Sequence, residues 1–280
     1  MSQTIRVAHS PDSDDAFMFY GLASGAVKAE GLDFVHELHD IETLNRAAVD
    51  GKYEITALSV HAYAHLHQRY LLLDSGASFG DGYGPTLVVS QGSSFMRPEE
   101  LERARIAIPG KWTSAALALS LRLPVHEPII EDFKAIGAMV KRGKVDAGLV
   151  IHEGQLTAQE EGLRVVLDLG TWWKDRTGLP LPLGMNGVRR DLPEPVRRTL
   201  ARVLAESVAH GLANREKALD HAMRYARGLD RGKADTFVGM YVNEWTRDLG
   251  PRGREAVELF LSEAADRGLV PRVKPEYQER

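Results

Sequence analysis

Short aliphatic and β-branched runs alternate along the chain with stretches whose apolar residues recur at helical spacing. TIRVAHS (4–10) predicts a strand, and DDAFMFYGLASG (14–25) a helix closing on Gly25. LDFVHEL (32–38) predicts a strand, and IETLNRAAVDG (41–51) a helix with Gly51 just past its end. EITALSV (54–60) follows as a strand and HAYAHLHQRY (61–70) as a helix. GPTLVVSQG (84–92) is a further strand, followed by polar turn residues. A second series then begins. It runs through RIAIPG (105–110, strand), TSAALALSLRL (113–123, helix), DFKAIGAMVKRG (132–143, helix), VDAGLVI (145–151, strand) and RVVLDLG (164–170, strand). PLGMNGVRRD (182–191) is extended, and from about Pro193 onward only helical patterns remain.

Strand–helix alternation of this kind predicts an α/β fold built of βαβ units, with mainly parallel sheets. Two such series followed by a helical tail reconcile in one way. The chain crosses to a second lobe near Val89–Gly92 and returns near Gly184–Arg190, and its last helices pack back on the first lobe. Residues 1–89 with 190–280 then form the first α/β lobe plus C-terminal helices, and 90–189 the second. Two connections between two lobes predict a hinge and a central cleft. Ligands of open α/β sheets bind at the carboxyl ends of the strands, so the loops after the strands are where chemistry is expected.

Composition narrows the field. The 280 residues are 44% hydrophobic, with 26% charged residues and a formal net charge of -4. No strongly basic face is implied, so nucleic acid is not an expected partner. The absence of cysteine excludes disulfides, thiolate metal sites and cysteine nucleophiles. No apolar run has the length of a signal peptide core or a membrane span, and a cytoplasmic protein without membrane contact is expected.

Four strand ends carry candidate chemistry. SPDSDDAF (10–17) places Asp12, Asp14 and Asp15 at a helix start, where carboxylates cap free N–H groups and complement the helix dipole. It lacks the alternating ligands and distal glutamate of a calcium loop, and no metal site is expected. Ser59 ends a strand and can face a ligand or cap the next helix; His61 and His65 have the spacing of a helical metal pair but no third ligand nearby. In IPGKWTSAAL (108–117), a glycine turn leads into Thr113 and Ser114 at a helix start. Such a start can hold a carboxylate or phosphate, or can simply be capped. It is not a Walker motif, because Arg105 stands where the first glycine belongs. His152 directly follows an apolar strand, where an imidazole can move protons near neutral pH or serve a structural role. No G-x-S-x-G elbow accompanies it.

Taken in order, SPDSDDAF, ETLN (42–45), LSVHAYA (58–64), PGKWTSA (109–115), GLVIHE (148–153) and WWKDRTGLPLPLG (172–184) resemble the 1,4-dihydroxy-6-naphthoate synthase family of the futalosine route to menaquinone. The resemblance covers nearly the whole chain, and IHE with TGLPLPLG is its most specific part. It implies a two-lobed type 2 periplasmic-binding-protein-like fold. It also implies a carbon–carbon lyase that cleaves cyclic dehypoxanthine futalosine, an anionic small molecule, to 1,4-dihydroxy-6-naphthoate without metal or organic cofactor. His152 matches the family's cleft histidine and would be the general base. Asp15, Asn45, Ser59 and Ser114, with Thr113 beside it, match positions that line the substrate site. The usual family opening is SPCPNDTF; Asp15 keeps its aspartate, whereas Asp12, Ser13, Asp14 and Ala16 depart from it. Two other readings share the fold: chorismate dehydratase, and a non-catalytic periplasmic-type binding protein for small carboxylates. The intact IHE and TGLPLPLG segments favour the synthase over the dehydratase. The absence of an N-terminal leader and lipid-anchor cysteine favours it over a receptor.

Overall fold

A computed structural model describes residues 2–280. Backbone contacts divide the chain into two units, one running to Phe79 and resuming over Pro182–Arg280, the other spanning Gly80–Leu181. The first unit opens with β1 (Gln3–His9), α1 (Ser13–Met18), α2 (Tyr20–Ala23), β2 (Leu32–Leu38) and α3 (Ile41–Val49). β3 (Ile55–Ser59), α4 (Val60–Leu66), β4 (Tyr70–Leu73) and β5 (Ser78–Gly80) follow. The second unit contains β6 (Thr86–Ser90), β7 (Arg105–Ile108), α5 (Ser114–Arg122), β8 (Glu127–Ile130) and α6 (Phe133–Lys141). It continues through β9 (Ala147–Val150), α7 (Gly154–Thr157), β10 (Leu163–Asp168) and α8 (Leu169–Thr177). β11 (Leu181–Arg189) leads back to the first unit. That unit ends with α9 (Glu194–Ala213), α10 (Arg215–Ala222), α11 (Arg231–Tyr241), α12 (Glu244–Arg247), α13 (Gly250–Asp266) and the short β12 (Tyr277–Gln278).

The first sheet has the order β12–β4–β11–β3–β1–β2, with β5 also paired to β11. β1 runs parallel to β2 and β3, with Val7 opposite Ile55. Glu54 ties three of these strands together. Its carboxylate accepts the Arg6 N–H (2.9 Å) and guanidinium, and lies 3.1 Å from Arg189 at the end of β11. One apolar cluster joins Ile5, Val7 and Val188 of this sheet to Phe17, Met18, Leu200, Leu204, Leu219 and Val238 of the helices. The second sheet has the order β10–β6–β9–β7–β8. Its core collects Val88, Ala107, Ile136, Val140, Val150 and Leu163.

Most elements form where the apolar spacing places them, and local caps set their starts. Asp40 accepts the Thr43 N–H at the start of α3 (3.0 Å), and Asp168 the Thr171 N–H at the start of α8 (2.9 Å). Several differences have physical causes. The sheets are mixed rather than mainly parallel: β11 is antiparallel to β3 and β4, and β6 to β9 and β10. A run of apolar residues specifies a strand but not its direction, which the connection determines. The TLVVS strand, β6, pairs inside the second sheet, and the chain passes from one unit to the other at Phe79/Gly80 and Leu181/Pro182. The helix after β3 ends at Leu66, and Tyr70 belongs instead to β4. The first helical stretch breaks at Phe19 into α1 and α2. Among the described residues, no helix is long and apolar enough to cross a membrane.

Candidate functional site

In the first unit, the parallel register of β1 and β3 brings the loops after both strands to one edge of the sheet. β1 ends at His9, and the chain turns through Ser10 and Pro11 into α1. Asp12 is the N-cap of α1 and accepts the Asp15 N–H at 3.3 Å. Asp15 reaches back and accepts the Ser10 N–H at 2.7 Å, while Arg227 donates to the Pro11 carbonyl at 2.9 Å. Ser10, Asp12, Ser13, Asp14 and Asp15 are all buried. Burial, then the Asp12 charge, push the Asp15 carboxyl well above the usual carboxylate range; the Ser10 N–H and Arg227 offset part of this. Asp12, Asp14 and Asp15 each present an oxygen within 4.8 Å of the others, the one cluster of three such groups among the described residues whose spacing could hold a cation. Two of these three carboxylates already close the helix start by accepting backbone N–H groups.

Asn45 of α3 and Ser59 at the end of β3 meet directly. The Asn45 amide donates to Ser59 Oγ and the Ser59 N–H donates to Asn45 Oδ1, both at 3.0 Å. Asn45 is fully buried. Its side chain fixes the serine hydroxyl at the strand end. Asn45→Ala is expected to lower stability by about 1–3 kcal/mol, because both bonds are lost inside the protein. Urea unfolding midpoints of variant and parent measure this, and equal midpoints would remove the bridge from the account of the site.

The second unit repeats the arrangement. β7 and β9 are parallel, with Ala107 opposite Gly148, so the residues following both strands leave at one edge of that sheet. After β7, Thr113 caps α5: its hydroxyl accepts the Ala116 N–H (3.2 Å) and donates to the Gly110 carbonyl (3.0 Å). Ser114 is the first helical residue, buried beside the positive end of the helix dipole. After β9 comes His152, half-buried, at φ +55°. That left-handed conformation is uncommon for any residue but glycine. The His152 carbonyl accepts the Gln155 N–H (3.1 Å), its ring meets the Phe133 ring at 5.0 Å and 64°, and the adjoining Glu153 is buried.

The candidate residues therefore fall into two groups. Asp15, Asn45 and Ser59 lie at strand ends of the first unit, and Thr113, Ser114 and His152 at strand ends of the second. His61 and His65 lie one turn apart on α4 with ring centroids 5.7 Å apart and planes tilted by 50°, and no metal-competent cluster among the described residues includes them. Sequence reasoning missed a second histidine group at the end of β1. His9 stacks on Phe19 (4.3 Å, 11°), and its Nε2 lies 3.2 Å from His36 Nδ1 of β2. Burial holds both imidazoles, and that of His221 on α10, below the usual histidine range. The available signal was a histidine ending an otherwise buried strand.

The family model described as menaquinone biosynthesis matches residues 5–266. A 1,4-dihydroxy-6-naphthoate synthase from Thermus thermophilus is 41% identical over 268 residues, covering 96% of this chain and 96% of that protein. Among solved structures, a protein from Archaeoglobus fulgidus is 45% identical with a TM-score of 0.90, covering 95% of this chain and 98% of its own. A periplasmic aliphatic sulphonate binding protein from Escherichia coli is only 14% identical but has a TM-score of 0.66, over 100% of this chain and 94% of its own. That distant likeness carries the fold alone, and the fold is of the periplasmic-binding-protein type. The near-complete family match and the Thermus relative together establish that the chain belongs to the menaquinone biosynthesis family.

Proposed function

We propose that this chain is a 1,4-dihydroxy-6-naphthoate synthase, a carbon–carbon lyase that cleaves cyclic dehypoxanthine futalosine. The observation that carries the reading is 41% identity to the Thermus synthase along 96% of both chains. His152 acts as the general base. Its imidazole removes a substrate hydroxyl proton, the alkoxide electron pair forms a carbonyl as the adjoining carbon–carbon bond breaks, and the pair from that bond passes to the departing carbon, which takes the proton back from the imidazolium. Its place two residues past the end of a buried strand supports that role, because ligands of open α/β sheets bind at the carboxyl ends of the strands.

The start of α5 binds the substrate carboxylate, with Ser114 as donor and Thr113 holding the turn. Free N–H groups and the helix dipole favour an anion at such a start. Asp15 and Ser59 contact the substrate from the strand ends of the first unit, and Asn45 holds Ser59 in place. A small anionic molecule is thus the partner, nucleic acid and membrane take no part, and the cytoplasm is the place of action.

Ser114→Ala is expected to raise KM by about ten- to a hundredfold with kcat little changed, the effect of losing one hydrogen bond to a charged group. An unchanged KM would exclude the contact. The assignment itself is tested by offering the purified protein cyclic dehypoxanthine futalosine and chorismate in parallel, with products followed by mass. Naphthoate from the first alone supports the synthase. Dehydration of chorismate would favour the other enzyme of this fold, and no product from either would favour a binding protein.

A further inference from the structure

The end of β8 delivers an aromatic ring to His152. β8 continues the parallel register of β7, with Ile108 opposite Ile130, and the Glu131 N–H donates to the Ile108 carbonyl at 3.0 Å. Asp132 then caps α6 through the Lys134 N–H at 2.9 Å, which makes Phe133 the first residue of the helix. Gly148 of β9 sets how closely that helix packs. A Cβ at 148 would stand 2.5 Å from Ile136 Cγ2 and 2.8 Å from Val140 Cγ2, closer than carbon atoms approach. Without one, the face carrying Phe133, Ile136 and Val140 rests directly on the strand, and Ile136 and Val140 enter the core. Two residues past the end of that strand, the His152 imidazole meets the Phe133 ring edge-to-face, with centroids 5.0 Å apart at 64°. Lys134 Nζ lies 5.6 Å from the centroid of the same phenyl ring. His152 also holds a left-handed backbone, φ +55°, a conformation that persists where surrounding contacts over-determine it.

We propose that Phe133 is a positioning residue for His152: its ring fixes the imidazole in the orientation from which the base works. The proposal rests on His152 being the base of the reaction above. Aromatic rings prefer the edge-to-face arrangement found here, so the phenyl restricts rotation of the imidazole about its side-chain bonds. Gly148 contributes indirectly, because it lets α6 sit where Phe133 can reach.

Phe133→Leu removes the ring and keeps apolar bulk; Phe133→Tyr keeps the ring. Misorientation of a catalytic group is expected to lower kcat of the leucine variant about tenfold or more, with KM within about twofold. The tyrosine variant should retain most of the parent kcat. Parental kcat in the leucine variant overturns the proposal. So does a loss confined to KM, or equal impairment of the two variants. A second readout needs no turnover: the His152 imidazole resonances in proton–carbon spectra of parent, leucine and tyrosine variants. Resonances that move in the leucine variant, through loss of the phenyl ring current, and stay near parent in the tyrosine variant support the contact. If they do so while the parent yields no naphthoate, the contact between the two rings stands, whereas the reaction assignment fails and the positioning role toward a base fails with it. Unmoved resonances in the leucine variant overturn the positioning role whatever the activity.

Discussion

His152→Ala is expected to lower turnover by about 10²–10⁴-fold, the usual contribution of a positioned general base, while the protein stays folded. Substrate affinity should change little, because the proposed carboxylate contact is with the start of α5 and not with the imidazole. The backbone at 152 complicates a simple reading of that variant, since alanine at φ +55° is strained as well as inert. His152→Asn is the companion variant. Asparagine tolerates the left-handed conformation and cannot serve as a base near neutral pH. Equal loss in both variants, with substrate binding retained by calorimetry, assigns the effect to the missing base. Activity restored by asparagine would assign it to the backbone.

The second large effect is on acid stability and centres on His9. Burial, then the neighbouring His36, hold its imidazole down at about 3, with the Ser10 carbonyl and the Asp12 charge opposing. In the unfolded chain the same group titrates near about 6.5. Between these values the unfolded state binds the extra proton, so stability falls as pH falls, by about 1.4 kcal/mol per pH unit for this group. Asp15 acts in the opposite sense. Its raised carboxyl keeps a proton longer in the folded state, so its contribution is lost as pH rises above the ordinary carboxylate value. The curve of the parent is therefore a compensated one, and a difference between variants isolates His9. His9→Phe preserves stacking on Phe19 and removes the titrating ring. Between pH 6 and pH 4 the variant should gain about 3 kcal/mol relative to the parent, measured by urea unfolding at each pH. Parallel curves would mean that His9 does not titrate as its burial demands.

How much of this was legible in the sequence depends on whether the cause was local. The starts of α3 and α5 were readable because Asp40 and Thr113 cap them from within the same few residues. The type 2 periplasmic-binding-protein-like fold implied by the motifs agrees with that of the distant structural relative. β4 escaped notice because the four residues YLLL follow a helical stretch without punctuation. β8 escaped because EPII is short and carries a proline, which an edge strand tolerates. The antiparallel directions of β6 and β11 are set by connections, which no local pattern encodes.

The site divides along the same line. His152 and Ser59 were visible as polar residues ending apolar runs, and Ser114 as a hydroxyl at a helix start. The Asn45–Ser59 bridge, the left-handed turn at His152 and the Phe133 contact were not, because each depends on residues that meet only after the sheets form. The three aspartates of SPDSDDAF were the most conspicuous feature of the sequence. In the fold, Asp12 caps α1 and Asp15 closes on the Ser10 N–H, which accounts locally for two of the charges.

The most direct measurement follows naphthoate by mass as purified protein is incubated with cyclic dehypoxanthine futalosine, alongside His152→Ala and His152→Asn. Steady accumulation of 1,4-dihydroxy-6-naphthoate by the parent, and its near absence with both variants, is the expected result. Tight binding of the compound by the parent without product, or undiminished product from either variant, would contradict the assignment of this chain as a synthase with His152 as its base.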